Sequence, residues 1–245
     1  MKTQNNTILI TGGGSGIGLE TARKFSALGN KVIIAGRNIE KLNAAAAGLN
    51  NLSVIRCDIT LETDLDALVQ QVEASYPELN ILINNSGSAH QYSLAENANV
   101  YDGARKEIEI NYLAPVRLTE KLLPYLKNKA ESAVINITSV VAFIPWAVMP
   151  TYSASKAALQ SYTRLLRLSL AKSPVKVFEV LPPLVDTEFA KNIPVEKLAP
   201  SAVADAIVSG LAEDKFEIRI GFTEHFYNIN KESPEKAFNA LNGVS

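Results

Sequence analysis

The sequence predicts an α/β fold, a doubly wound parallel sheet of about seven strands with helices on both faces. Three observations predict it. Short β-branched runs alternate with longer amphipathic stretches from one end of the chain to the other, and parallel neighbours need such crossovers. Most of the short runs are apolar throughout instead of alternating, as strands covered on both faces are. The composition is that of a packed globule: 245 residues, 47% hydrophobic and 20% charged, with 13 Gly and 11 Pro.

In chain order, strands are expected at Thr7 to Ile10, Lys31 to Ala35, Leu52 to Arg56, Asn80 to Ile83, Ala133 to Ile137, Val175 to Val180 and Phe216 to Ile220. Helical periodicity fills the intervals at Ile17 to Leu28, Ile39 to Leu49, Leu61 to Ser75, roughly Ala104 to Lys127, Tyr152 to Ala171 and Ser201 to Ala212. The uncharged stretch Ser132 to Ser155 is interrupted by Asn136, Thr138, Ser139, Pro145, Pro150 and Tyr152, so it reads as a buried strand entering a loop and not as a membrane span. No linker divides the chain, and a single domain over residues 1–245 is expected. Pro182, Pro183, Pro194 and Pro200 punctuate one long irregular stretch, residues 181–200, that reads as a loop over a site. The C-terminal extension, residues 222–245, has a short helical pattern after Pro234 and no assigned role.

Charge and cysteine usage exclude several classes. With 24 basic and 25 acidic residues the net charge is −1, which gives no broad electrostatic reason to bind nucleic acid or an acidic membrane. The lone Cys57 excludes an internal disulfide, and the polar N-terminus lacks a secretory pattern, so a cytoplasmic location is expected. His90 and His225 have no ligand spacing, and no metal is expected. Charged runs such as Arg105 to Glu109 read as solvated helix faces.

The first strand ends in a glycine turn, Thr11-Gly12-Gly13-Gly14-Ser15-Gly16-Ile17-Gly18, directly before a helical pattern. Glycines there permit a tight turn and close backbone approach, and amides at the helix start can face a pyrophosphate. The spacing is Gly-x-x-x-Gly-x-Gly, not Gly-x-Gly-x-x-Gly, and no Lys-Ser or Lys-Thr follows as a triphosphate-binding loop would require. The second strand ends in Ala35-Gly36-Arg37-Asn38, where a dinucleotide fold reads the adenosine ribose. Arg37 offers a forked cation to a 2′-phosphate and no acid stands at the tip, which favours NADP(H) while leaving NAD open.

Tyr152 and Lys156 lie four residues apart at a helix start, hence on one face, where the ammonium is expected to lower the tyrosine pKa toward acid/base use. Ser139 follows the uncharged strand, Asn84-Asn85-Ser86-Gly87 ends the strand before it, and Asn111 falls inside the long helix between them.

Together these motifs resemble the short-chain dehydrogenase/reductase family over Thr7 to about Thr187. The resemblance implies a Rossmann-like NAD(P)-binding fold and hydride transfer between nicotinamide and a small carbonyl or alcohol substrate. It implies that Ser139 orients the substrate oxygen, Tyr152 is the general acid/base, Lys156 binds the nicotinamide ribose, and Asn111 holds a proton-relay water. Gly12, Gly14, Ser15, Gly16, Ile17 and Gly18 would line the pyrophosphate, with Asp58 at adenine, Asn85 and Gly87 along the adenosine side, and Val185 and Thr187 at the carboxamide. A homodimer or homotetramer is implied, with the helices carrying Leu159, Leu165, Leu166 and Leu170 at the contact. The segment Leu181 to Phe189 resembles the DltE-like bacterial oxidoreductases.

Two positions depart from the family pattern: Ser86 replaces alanine, and Pro182-Pro183 replaces Pro-Gly, removing a backbone donor over the nicotinamide. Expected pocket walls are Ser88, Ala89, His90, Val141, Phe143, Trp146, Met149, Leu184 and Phe189, although a lone loop histidine such as His90 is more often a surface or packing residue and Phe143, Trp146 and Met149 read equally as core. A cofactor-binding sensor or scaffold without turnover, and a lyase or isomerase on the same fold, are the alternatives.

Overall fold

The computed structural model describes residues 1–49, 51–96 and 99–244. Its strands are β1 (Thr7–Thr11), β2 (Lys31–Gly36), β3 (Leu52–Arg56), β4 (Leu79–Asn84), β5 (Ser132–Ile137), β6 (Val175–Leu181) and β7 (Glu217–Arg219). All pair in parallel in the order β3-β2-β1-β4-β5-β6-β7. The order reverses between β1 and β4, and that switch point opens a crevice beyond the carboxyl ends of the strands.

The apolar strands divide their side chains between two cores, as covered strands must. On one face Ile8, Ile10, Ile34, Ile83 and Phe178 pack against α1 (Gly16–Ala27), α2 (Ile39–Ala46) and α7 (Pro200–Ala212) through Phe25, Leu42 and Ile207. On the other Leu9, Ile33, Leu82 and Val134 meet α3 (Glu62–Ser75), α5 (Ala114–Lys127) and the end of α6 (Pro150–Ser169) through Leu68, Leu122 and Leu166. Buried polar groups fix α5 and α6 in place. Asn84 Nδ2 donates to Asn136 Oδ1 (2.8 Å) and Thr119 Oγ1 (3.1 Å), and Asn136 Nδ2 donates to Thr163 Oγ1 (2.9 Å).

The expected helix over residues 104–127 begins earlier and is not continuous. It comprises α4 (Val100–Ile108), a π-helical turn (Glu109–Leu113) and α5. Such an insertion widens a helix locally and typically marks a functional site. The C-terminal extension folds as α8 (Phe222–Glu232) and α9 (Pro234–Asn242), the latter capped by Ser233. No helix among the described residues is long and apolar enough to cross a membrane.

One core group is ionisable. Glu179 of β6 is fully buried, its Oε1 accepts from Thr138 Oγ1 (2.8 Å) and Gln160 Nε2 (2.9 Å), and its Oε2 has no partner among the described residues. Burial holds its pKa above the usual carboxylate range.

Candidate active site

The glycine turn is a cradle with its side chains removed. A Cβ at Gly13 would lie 2.4 Å from Ile34 Cγ2, and one at Gly18 would lie 2.5 Å from both Asn85 Nδ2 and the Gly12 carbonyl oxygen. Gly12 and Gly16 adopt positive φ, 68° and 54°, which favours glycine. Gly14 is different: its nearest neighbour would be Leu42 Cδ2 at 3.4 Å, an ordinary contact. Helix α1 then starts at Gly16 without a side-chain cap from Ser15 and without an acid in its first turn. Its positive end and free amides therefore face the crevice, the arrangement a pyrophosphate requires.

Asn85 locks this turn. Its Nδ2 donates to the Thr11 (2.9 Å) and Gly12 (3.2 Å) carbonyls, and its own N–H donates to Thr11 Oγ1. Its amide is thus committed to holding the backbone, although the residue also lines the crevice. Asp58 lines the crevice too, with Oδ1 accepting from Thr60 N and Oγ1. Burial and the neighbouring carboxylates Asp64 and Asp58 push the Cys57 thiol up to about 12, leaving it unreactive.

Arg37 stands exposed at the end of β2 and makes no ion pair with any described residue. Lys41, in the first turn of α2, also lines the crevice, a second cation at this corner that motif reading missed. Asn38 between them caps α2, accepting from Lys41 N at 2.7 Å.

Across the crevice, Ser139, Tyr152 and Lys156 converge at the ends of β5 and the start of α6. Ser139 is buried and its Oγ accepts from Val141 N (3.3 Å). Lys156 Nζ donates to the Ile137 carbonyl (2.8 Å) and lies 5.6 Å from the Tyr152 ring centroid. One of its three donors is used, leaving two for a ligand. Burial lowers the Lys156 pKa to about 8.

The expected lowering of Tyr152 by Lys156 does not hold for these side chains. Burial raises the phenol's pKa most, Ser139 offsets part of this, and the Glu107 carboxylate raises it further. The phenol stays protonated.

Asn111 lies in the π-helical turn, fully buried. It grips Ser88 twice, accepting from its N–H and donating to its carbonyl, both at 2.8 Å, and donates to Ser155 Oγ at 2.8 Å. Gly87 sits above it, where a Cβ would be 3.3 Å from Asn111 Oδ1 and 3.9 Å from Lys156 Nζ.

The loop over residues 181–200 bridges the two walls. Val140 N donates to the Pro182 carbonyl (3.0 Å), which fixes the path through the two prolines. A clasp between Val185 and Leu198 closes the loop on itself, with Asp186 N donating to the Leu198 carbonyl and Leu198 N to that of Leu184. Thr187 reaches the glycine turn, its Cγ2 2.8 Å from where a Gly16 Cβ would stand, and Phe189 packs on Tyr152 with ring centroids 5.3 Å apart.

Ser139, Tyr152, Lys156 and the expected cofactor residues other than Gly18 line one crevice of about 1200 Å³, whereas Gly18 and Asn111 are buried behind its walls. Of the expected walls, Val141, Trp146, Met149, Leu184 and Phe189 line it. Ser88, Ala89, His90 and Phe143 do not: Ser88 is held by Asn111, His90 turns to Glu107, Ala89 packs behind Met149, and Phe143 stacks edge-on against Tyr227. Glu107 corrects a second expectation, since it is fully buried and not part of a solvated face. Phe222, His225, Phe226 and Leu241 of the C-terminal helices complete the walls. Arg219 seats α8 through Glu224 (2.8 Å) and the Tyr227 ring (3.9 Å), and Asn242 holds α9 to Pro145 and Ala147.

Fold and site define a class, an oxidoreductase built on a parallel dinucleotide-binding sheet. The short chain dehydrogenase family model matches residues 6–197, and the chain belongs to the short-chain dehydrogenase/reductase family. It is 35% identical over 248 residues to the uncharacterized oxidoreductase DltE of Bacillus subtilis, covering 99% of this chain and 98% of that protein. Among solved structures it resembles a short chain dehydrogenase from Burkholderia cenocepacia in complex with NADP (26% identity, TM-score 0.87, covering 98% of this chain and 99% of that one). It also resembles a short-chain dehydrogenase from Sphingobium yanoikuyae in complex with NADPH (26% identity, TM-score 0.80, covering 94% and 95%).

Proposed function

We propose that the whole chain is one NADP(H)-dependent domain that transfers hydride between nicotinamide and a carbonyl or alcohol substrate, with Tyr152 as general acid/base. The observation that carries this reading is the convergence of Ser139, Tyr152 and Lys156 on the same crevice as the uncapped helix and the glycine turn. When bound, the nicotinamide supplies or accepts the hydride. The chain's residues do the rest. Gly12, Gly14, Ser15, Gly16 and Ile17 present backbone to the pyrophosphate, Gly18 lets Asn85 and the Gly12 carbonyl pack close behind them, and Asp58, Asn85 and Gly87 border the adenosine side. Val185 and Thr187 close over the other end, and the two remaining Lys156 donors hold ribose hydroxyls.

In reduction, Ser139 orients the carbonyl oxygen and Tyr152 gives it a proton as the carbon accepts hydride; oxidation reverses both transfers. Asn111 keeps the Ser88 loop and Ser155 in place beside Lys156, where a relay water would return the proton. The walls Trp146, Met149, Leu184, Phe189, Phe222 and Phe226 suit an apolar substrate body.

Replacing Tyr152 with Phe should lower kcat about 10²- to 10⁴-fold across a panel of carbonyl compounds with NADPH, while cofactor binding persists. Unchanged turnover overturns the assignment. The cation pair Arg37 and Lys41 supports the NADP preference, which is a matter of the 2′-phosphate alone. Arg37→Asp should weaken NADPH at least about tenfold more than NADH, the equivalent of one charge-assisted contact; equal losses reject the preference.

Self-association through α4 to α6 is part of this proposal. Leu159 and Leu170 are buried and Leu166 is half-buried, whereas Leu165 and Leu168 are 61% and 73% exposed. Sedimentation that shows only monomer at micromolar concentration removes it.

A further inference from the structure

Two polar rungs join the helix after β4 to the helix that carries Tyr152. The first runs from Ser88 through Asn111 to Ser155, and Ser155 Oγ continues to the Tyr152 carbonyl at 2.7 Å. The second lies one helical turn away on both helices and runs from His90 through Glu107 to Thr151. His90 N donates to Glu107 Oε1 at 2.7 Å, and His90 Nδ1 lies 3.1 Å from the same oxygen. On the other side Thr151 Oγ1 donates to Glu107 Oε2, and Tyr92 OH donates to Thr151 Oγ1. The Glu107 side chain is fully buried, and the residue it holds immediately precedes Tyr152.

We propose that Glu107 is a positioning residue for Tyr152, bracing the start of α6 through Thr151 and the loop after β4 through His90. The proposal rests on the acid/base role of Tyr152. A carboxylate that only tied two segments together could be replaced by any acceptor. This one differs because its charge opposes phenolate formation. The titratable and charged groups facing Tyr152 are Lys156 from its own helix and Glu107 from α4, with the Ser139 hydroxyl at the end of β5. His90, on the loop, is the ionisable group that faces Glu107 in turn. Removing the Glu107 charge therefore favours the phenolate, and alcohol oxidation, which climbs with phenolate fraction, should reach its plateau at lower pH.

The test compares the pH dependence of kcat for wild type, Glu107→Gln and Thr151→Val in NADP⁺-driven oxidation over a panel of secondary alcohols. Glu107→Gln should move the rising limb to lower pH. Thr151→Val, which cuts the brace and leaves the charge, should lower the plateau several-fold and leave the limb in place. An unmoved limb in Glu107→Gln overturns the charge role, and a wild-type plateau in Thr151→Val overturns the brace even where Glu107→Gln does not fold. Tyr152→Phe run alongside separates the two readings: if it turns over normally, or wild type does not turn over at all, the acid/base assignment falls and this inference falls with it.

Discussion

Around the glycine turn, Gly13 and Gly18 leave space that no side chain could occupy, and the helix behind them presents bare amides. On the opposite wall, Asn111, Lys156 and Glu107 are all buried, and each places a polar head at a specific partner. One wall works by omission and the other by buried polarity, and the two fail differently. A missing side chain cannot be restored without steric displacement, whereas a buried charge carries a standing desolvation cost that its removal relieves.

Gly18→Ala tests the first wall at its tightest point. Its methyl would meet Asn85 Nδ2 and the Gly12 carbonyl at 2.5 Å, so the turn must shift; stability should drop about 1–3 kcal/mol in a denaturant titration. NADPH affinity should fall more than about 100-fold by fluorescence titration, a loss of about 2.7 kcal/mol in binding.

Lys156→Met sharpens the contrast, because it should abolish turnover and yet stabilise the fold. The folded pKa, about 8, lies below the ordinary 10.5. The cost of burying the ammonium is therefore full below pH 8 and disappears as pH rises toward 10.5. At pH 7 the variant should melt several degrees higher, with a ceiling of about 3 kcal/mol, and the difference should shrink in alkaline melts.

Glu179→Gln should show a smaller effect of the same kind. The folded pKa is raised, so the wild-type contribution is intact below the ordinary carboxyl value of 4.5 and is lost as pH rises through the folded value. The variant should match or exceed the wild-type melting temperature at pH 8 and lose that advantage near pH 4. The smallest effect belongs to Gly14→Ala, where nothing lies nearer than 3.4 Å and NADPH affinity should stay within about twofold. A large loss there would mean that space is not what distinguishes the glycines.

The wall built by omission was legible in the sequence because its signal is local. Glycines at fixed spacing after a β-branched run state where the backbone must turn, and β1 to β7 fall where the apolar runs placed them. The other wall was legible only where one residue type announces chemistry, as in Ser139, Tyr152, Lys156 and Asn111. Glu107 was misread because it sits among Arg105, Lys106 and Glu109, and only the fold brings His90 and Thr151 against it. A signal was available: Glu107 and Asn111 are spaced by four, and so are Thr151 and Ser155. The π-helical turn has no comparable marker, and the walls from α8 and α9 depend on Arg219 and Asn242 meeting distant partners.

The clasp between Val185 and Leu198 bears on how guests enter and leave. A strap already tied at its base has few backbone freedoms left to be frozen around a guest. What Thr187 and Phe189 touch then weighs more in holding that guest than the entropy of gathering a loose string.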